Sequence, residues 1–140
     1  MKAFLGKQEI KDKYIERVSA HYKADEIIQG VYWENGKGCA VGCTMESNEN
    51  VHEQMEIKLG IPKELAYLED SIFEGLSNGE AKKFPLQFLK AIPVGADLSL
   101  VTSKFMVWQF KDKKLGLKNI DEVKEDKELM SVCEDLVALY

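Results

Sequence analysis

The chain has 140 residues, a formal net charge of −5, and 45% apolar and 31% charged residues. That balance belongs to a globular chain, and it excludes both a disordered polymer and a membrane-embedded one, since no apolar run approaches the ~18 residues a spanning helix requires. The acidic excess argues against a general nucleic-acid binder, because the short basic runs Lys82-Lys83 and Lys111-Asp112-Lys113-Lys114 stand beside acids and read as solvated surface.

The N-terminus turns charged too soon for the apolar stretch of a signal peptide. Three cysteines are few and odd in number, so no disulfide framework is expected, and the thiols should stay reduced. A cytoplasmic protein follows as the expectation.

In chain order, residues 7–29 read as helix with an interruption near Ala24. Ile10, Tyr14, Val18 and His21 fall on one face, and Gly30 is a stop signal. Val31-Tyr32-Trp33 is aromatic and β-branched, and Glu34-Asn35-Gly36 signals a turn. Two conformations then compete. One is an Asn-Gly hairpin pairing 31–33 with residues near Cys39–Cys43; the other is a helix containing Cys39, Ala40, Val41, Gly42 and Cys43. A helix from Val51 carries Val51, Met55 and Leu59 inward and ends at Gly60.

Pro62 opens the next helix, with Leu65, Leu68, Ile72 and Leu76 along its inner face and Ala66, Tyr67 and Phe73 widening the stripe. Glu80 to Ile92 forms another, with Pro85 marking its first turn. Leu98 to Phe110 reads as largely buried, with Val101, Phe105 and Trp108 on one stripe. Trp33, Tyr32, Phe105 and Trp108 are mostly core, with room for one exposed aromatic at a partner surface. A last helix from about Ile120 to Leu139 points Val123, Leu129, Val132, Leu136 and Leu139 to a core. No repeat, linker or domain boundary is visible. The expectation is a mainly α, single-domain bundle of about six helices over 1–140, with a small β-hairpin near residues 31–44 as an option.

Tyr32-Trp33-Glu34-Asn35-Gly36-Lys37-Gly38-Cys39-Ala40-Val41-Gly42-Cys43-Thr44, with His52, Leu59-Gly60-Ile61-Pro62 and Leu68 to Leu76, resembles a group of uncharacterised proteins of bacteria and their phages. The likeness spans roughly 25–110 and makes the glycine-cysteine string a family hallmark. It implies no activity or cofactor, but a phage or mobile-element setting implies a host factor as partner.

Four sets of residues could carry chemistry. Cys39 and Cys43, with His52 and His21, offer ligands that zinc accepts, although the paired-cluster signature of a structural zinc site is missing. The plain alternative is that both cysteines pack as small apolar residues, so no cofactor is expected. Cys39 or Cys43 with His52 could form a nucleophile and its base, oriented by Glu53, Glu56 or Asp70. Gly36-Lys37-Gly38 ahead of a helix could hold an anion. The alternative there is a positive-φ turn at Gly36 and close backbone approach at Gly38 and Gly42. Glu69, Asp70 and Glu74 could do acid–base work, but a solvated helix face explains them more simply.

His21 reads as a hydrogen-bonded core histidine. The leading functional reading is a non-enzymatic protein that binds another protein. The rivals are a metal- or thiol-dependent enzyme using Cys39, Cys43 and His52, and a small-anion or nucleotide binder using Gly36–Gly38.

Overall fold

The computed structural model describes residues 1–139, apart from the side chains of Leu136 and Leu139. It is mainly α, with one small antiparallel hairpin, and divides into two compact units, 1–99 and 100–140. No proline-, glycine- or serine-rich stretch marks the boundary, which is why the sequence reads as a single domain over 1–140.

In the first unit, helix α1 is Gln8–Lys23. It ends at the interruption expected near Ala24 and does not resume towards residue 29, because Asp25 adopts φ 58°. The Glu26 amide then reaches back to the His21 carbonyl and the Asp25 amide to that of Tyr22, which is the left-handed helix ending usually built on glycine. Tyr14, Val18 and His21 are buried, as the periodicity requires.

Strands β1 (Trp33–Glu34) and β2 (Lys37–Gly38) pair antiparallel, Trp33 opposite Gly38. Asn35 and Gly36 both take positive φ, 51° and 79°, the pair of left-handed residues a two-residue hairpin turn requires. Helix α2 (Ala40–Met45) follows at once, wholly buried. Hairpin and helix therefore both form, in succession. The strand partner of Trp33 is Gly38 rather than a residue of the Cys39–Cys43 stretch.

Helices α3 (Val51–Leu59) and α4 (Lys63–Gly75) pack on α2. Gly60, at φ 63°, ends α3 where expected. On the inner face of α4, Leu65, Ala66 and Phe73 of the expected stripe are buried together with Glu69, which the expectation leaves out, while Leu68, Ile72 and Leu76 are only partly buried and Tyr67 is exposed. The next expected helix is two pieces, a single turn α5 (Asn78–Ala81) and α6 (Phe84–Ala91). Pro85 sits in the first turn of α6 and has no N–H with which to continue a helix from α5.

Ala3 exchanges hydrogen bonds with Gly95 and Ala96, and Lys11 Nζ caps the Lys90 and Ile92 carbonyls, so both ends of the unit are tied together. Val18, Val41, Met55, Leu59, Phe73 and Leu89 are fully buried at its centre.

The second unit holds helices α7 (Val101–Lys111), α8 (Asp121–Glu125) and α9 (Lys127–Leu139). The expected single last helix breaks at Asp126, whose carboxylate accepts the amides of Glu128 and Leu129 and so restarts the chain as a cap. The expectation that Leu98 to Phe110 is mostly buried fails beyond Leu98. No residue of α7 is buried, and Trp108 is 46% exposed. Leu129 and Val132 are exposed as well, and Val123 is half-buried. The expected inward placement of Leu136 and Leu139 lies outside the described side chains.

Candidate functional site

The glycine-cysteine segment owes its conformation to one carbonyl. A Cβ on either Gly38 or Gly42 would overlap the Tyr32 carbonyl oxygen, so both positions require glycine. The Gly38 amide donates to the Glu26 carbonyl at 3.0 Å, and the Cys39 amide to Val31 at 2.7 Å. Those amides are occupied by backbone, and Lys37 is exposed. The Gly36-Lys37-Gly38 loop thus serves as a turn and a contact surface, with the Gly38 amide already engaged by backbone.

Cys39 and Cys43 lie one helical turn apart and meet different neighbours. Cys43 donates its thiol to the Gly38 carbonyl at 3.2 Å. Burial pushes its pKa up to about 12, with Glu26 and Glu46 adding to the rise. Close to it, His21 is held between two carboxylates, Nδ1 2.6 Å from Glu26 and Nε2 3.2 Å from Glu46. Arg17 reaches the same Glu46 at 3.2 Å and donates to the Thr44 carbonyl. Glu46 itself takes φ 51° at the end of α2, a region non-glycine residues seldom occupy, and these two partners fix it there. His21 also meets Trp33 edge-on at 5.2 Å. It is a satisfied core histidine that links the end of α1 to the hairpin and to α2.

Cys39 belongs to a second cluster. It is 1% exposed and lines a cleft of about 180 Å³ with Gly30, Val31, Tyr32, Asp70 and Glu74. Burial pushes its pKa far above the ordinary thiol range, and the neighbouring Asp70 carboxylate pushes it further. Its thiol sulfur, an Asp70 oxygen and a Glu74 oxygen all lie within 4.8 Å of one another.

Both Glu74 oxygens accept the Gly30 amide, at 3.1 and 3.0 Å. His52 stands behind Asp70, with Nε2 3.4 Å from Oδ2. That is ion-pair distance but not hydrogen-bond geometry, which leaves Nε2 buried without a hydrogen-bond partner; the other Asp70 oxygen, Oδ1, is likewise buried and unpartnered. The imidazole stacks on Tyr67 at 3.8 Å and meets the edge of Tyr32 at 5.8 Å.

The four cysteine and histidine candidates therefore separate: His21 with Glu26 and Glu46 on the Cys43 side, His52 with Asp70 on the Cys39 side. Among the described residues, Cys39, Cys43, His52 and His21 do not bring three ligand atoms together; Cys39, Asp70 and Glu74 do. A nucleophile needs its base against the thiol. Here Asp70 pairs with His52 and also acts on Cys39, the reverse of a cysteine–histidine–acid order.

The reading of Glu69, Asp70 and Glu74 as a solvated face holds for the exposed Glu74, while Asp70 is partly buried and Glu69 is the exception. Glu69 is 1% exposed with both oxygens unpartnered, and burial, followed by Asp70, raises its pKa well above 4.5. The i, i+4 spacing of Asp70 and Glu74 is visible in the sequence. That Gly30 and Cys39 come to the same side of α4 depends on the hairpin folding back and leaves no local trace. No protein-family model, curated protein or solved structure matches the chain.

Proposed function

We propose that this chain is a non-enzymatic, cytoplasmic interaction protein that presents its second unit to a partner protein. The resemblance of the Tyr32–Thr44 segment to proteins of bacteria and phages is what suggests a host factor as that partner. The carrying observation is that residues 100–139 contain no buried side chain among those described, Gly116 being the only buried residue. They nonetheless expose Leu115 at 76%, Val132 at 53%, Leu129 at 48% and Trp108 at 46%. Large apolar side chains exposed in this number within one short unit support reading it as an interaction surface. A cleft of about 210 Å³ lined by Phe110, Met130, Cys133 and Val137 offers room for one anchoring side chain.

The first unit supports the same reading. Its thiols are buried and hard to ionise, and the histidine nearest Cys39 pairs with a carboxylate instead.

The test uses the full chain and the double variant Leu115→Lys/Val132→Lys. The wild type should sediment as a monomer and retain one host protein in stoichiometric amount. The double variant should bind that purified protein at least about tenfold more weakly, with the first unit unfolding as before. Equal binding by both chains would overturn the proposal, and so would a wild type that only pairs with itself.

A further inference from the structure

The Cys39 cluster is short of positive charge. Asp70 and Glu74 face the same cleft, and among the described residues neither pairs with a lysine or arginine; the one basic group at Asp70 is His52. His52 has a side chain only 5% exposed and points Nε2 at that carboxylate without completing a hydrogen bond. Asp70 Oδ1, also buried, has no partner either. Leaving such groups unmatched inside a fold is costly, and a cation between the thiol and the two carboxylates would give the Asp70 carboxylate the partner it lacks.

We propose that Cys39, Asp70 and Glu74 bind a divalent transition-metal ion of the zinc type, with His52 positioning Asp70 from behind. The donor set selects the metal class. One thiolate with two carboxylates suits zinc or cobalt, whereas calcium and magnesium take oxygen donors. Bond lengths of about 2.3 Å to sulfur and 2.0–2.2 Å to oxygen place tetrahedral ligands about 3.5 Å apart. Atoms already within 4.8 Å of one another need only small side-chain rotations to reach that spacing.

Glu74 is pre-oriented by the Gly30 amide. His52 is held between Tyr67 and Tyr32, and an imidazole behind a metal-binding carboxylate is a common outer-shell arrangement. On binding, the Cys39 S–H bond breaks, its proton passes to water and the sulfur lone pair goes to the metal; nothing is oxidised or reduced. The fourth position opens on the cleft and takes water. This is a different set from Cys39, Cys43, His52 and His21.

Cobalt(II) is the probe, added to the full-length protein after treatment with chelator. One equivalent should bind, with a thiolate-to-cobalt charge-transfer absorption that zinc abolishes by displacement. Cys39→Ser should remove the band. Glu74→Gln, at an exposed position that should not disturb folding, should lower affinity at least about tenfold, and His52→Ala about 10- to 100-fold. Cys133→Ser should change neither. Circular dichroism establishes that each variant is folded. Absence of saturable binding below millimolar cobalt would overturn the proposal, as would a band that survives Cys39→Ser or depends on Cys133, or an affinity untouched by Glu74→Gln.

Discussion

Residues 1–99 and 100–139 have similar proportions of apolar side chains along their helices but use them differently. In the first unit the apolar faces close on one another: Phe4, Val18, Met55, Leu59 and Phe73 are fully buried, and even the backbone of Gly38 and Gly42 is pressed against Tyr32. In the second, no described side chain is buried, and Trp108, Leu115 and Val132 face outward. Apolar content alone therefore does not locate a core. What distinguishes the units is whether each helix has opposing surfaces to close against, and α2 has them from the hairpin, α3 and α4. Stability should reside in the first unit, and surface available for recognition in the second.

The largest effect should come from the tightest contact. Replacing Gly42 with valine forces a branched side chain into the Tyr32 carbonyl and should unfold the first unit or cost more than about 4 kcal/mol. Gly36→Ala is the control. Gly36 has open space around it and only its φ of 79° to object to a side chain, so the cost should be about 1–2 kcal/mol. Urea midpoints measure both. A Gly42→Val chain with a wild-type midpoint would remove the packing account of the glycine-cysteine segment.

Next in size is the buried carboxyl of Glu69. Its pKa is raised by burial and by Asp70, so the folded state keeps a proton that the unfolded state loses. The stability this confers is fully present below the ordinary value of 4.5 and is lost as pH rises through the folded value. In chelated protein, Glu69→Gln should flatten that decline and exceed the wild type by about 1–3 kcal/mol at alkaline pH. Parallel stability–pH curves for the two chains would mean that Glu69 ionises equally easily in both states, and the first unit would be less tightly closed than its packing implies.

Much of the first unit is legible in the sequence because its signals are local. The steps of four and three residues from Tyr14 to Val18 to His21, the Asn35-Gly36 turn and the Gly60 stop each depend on residues close by. The α4 face was harder. Counting Leu68, Ile72 and Leu76 as inner residues misses that Glu69, an acid, occupies the buried row, because the expectation that charge faces water overrides the helical period. The site shows the same division. Cys39 and His52 stand out by residue type. The sorting of the cysteines and histidines into two clusters, Cys39 with His52 and Cys43 with His21, depends on Tyr32 folding back over Gly38 and Gly42, a contact between backbone atoms that no side-chain pattern encodes. In the second unit the heptad-like run Leu129, Val132, Leu136 predicts burial, since a helix facing a partner protein and one facing its own core carry the same pattern.

The smallest effect expected is also the one that tests the two units within a single sample. Three thiols are available to an alkylating reagent, and only Cys133 is not buried. Cys39 and Cys43 are 1% and 0% exposed, and burial raises both pKa values, so at neutral pH they hold almost no thiolate. Mass spectrometry of the native chain should show one added label, on Cys133, and three after denaturation. Because Cys133 borders an open cleft and not a closed core, the label should shift the urea midpoint by no more than about 0.5 kcal/mol in free energy. Labelling of Cys39 or Cys43 at a rate comparable to Cys133 would show that the first unit opens far more readily than its packing allows. A large loss of stability on labelling Cys133 alone would instead show that the second unit has a core of its own, and the contrast between recognition surface and folded support would fail from that side.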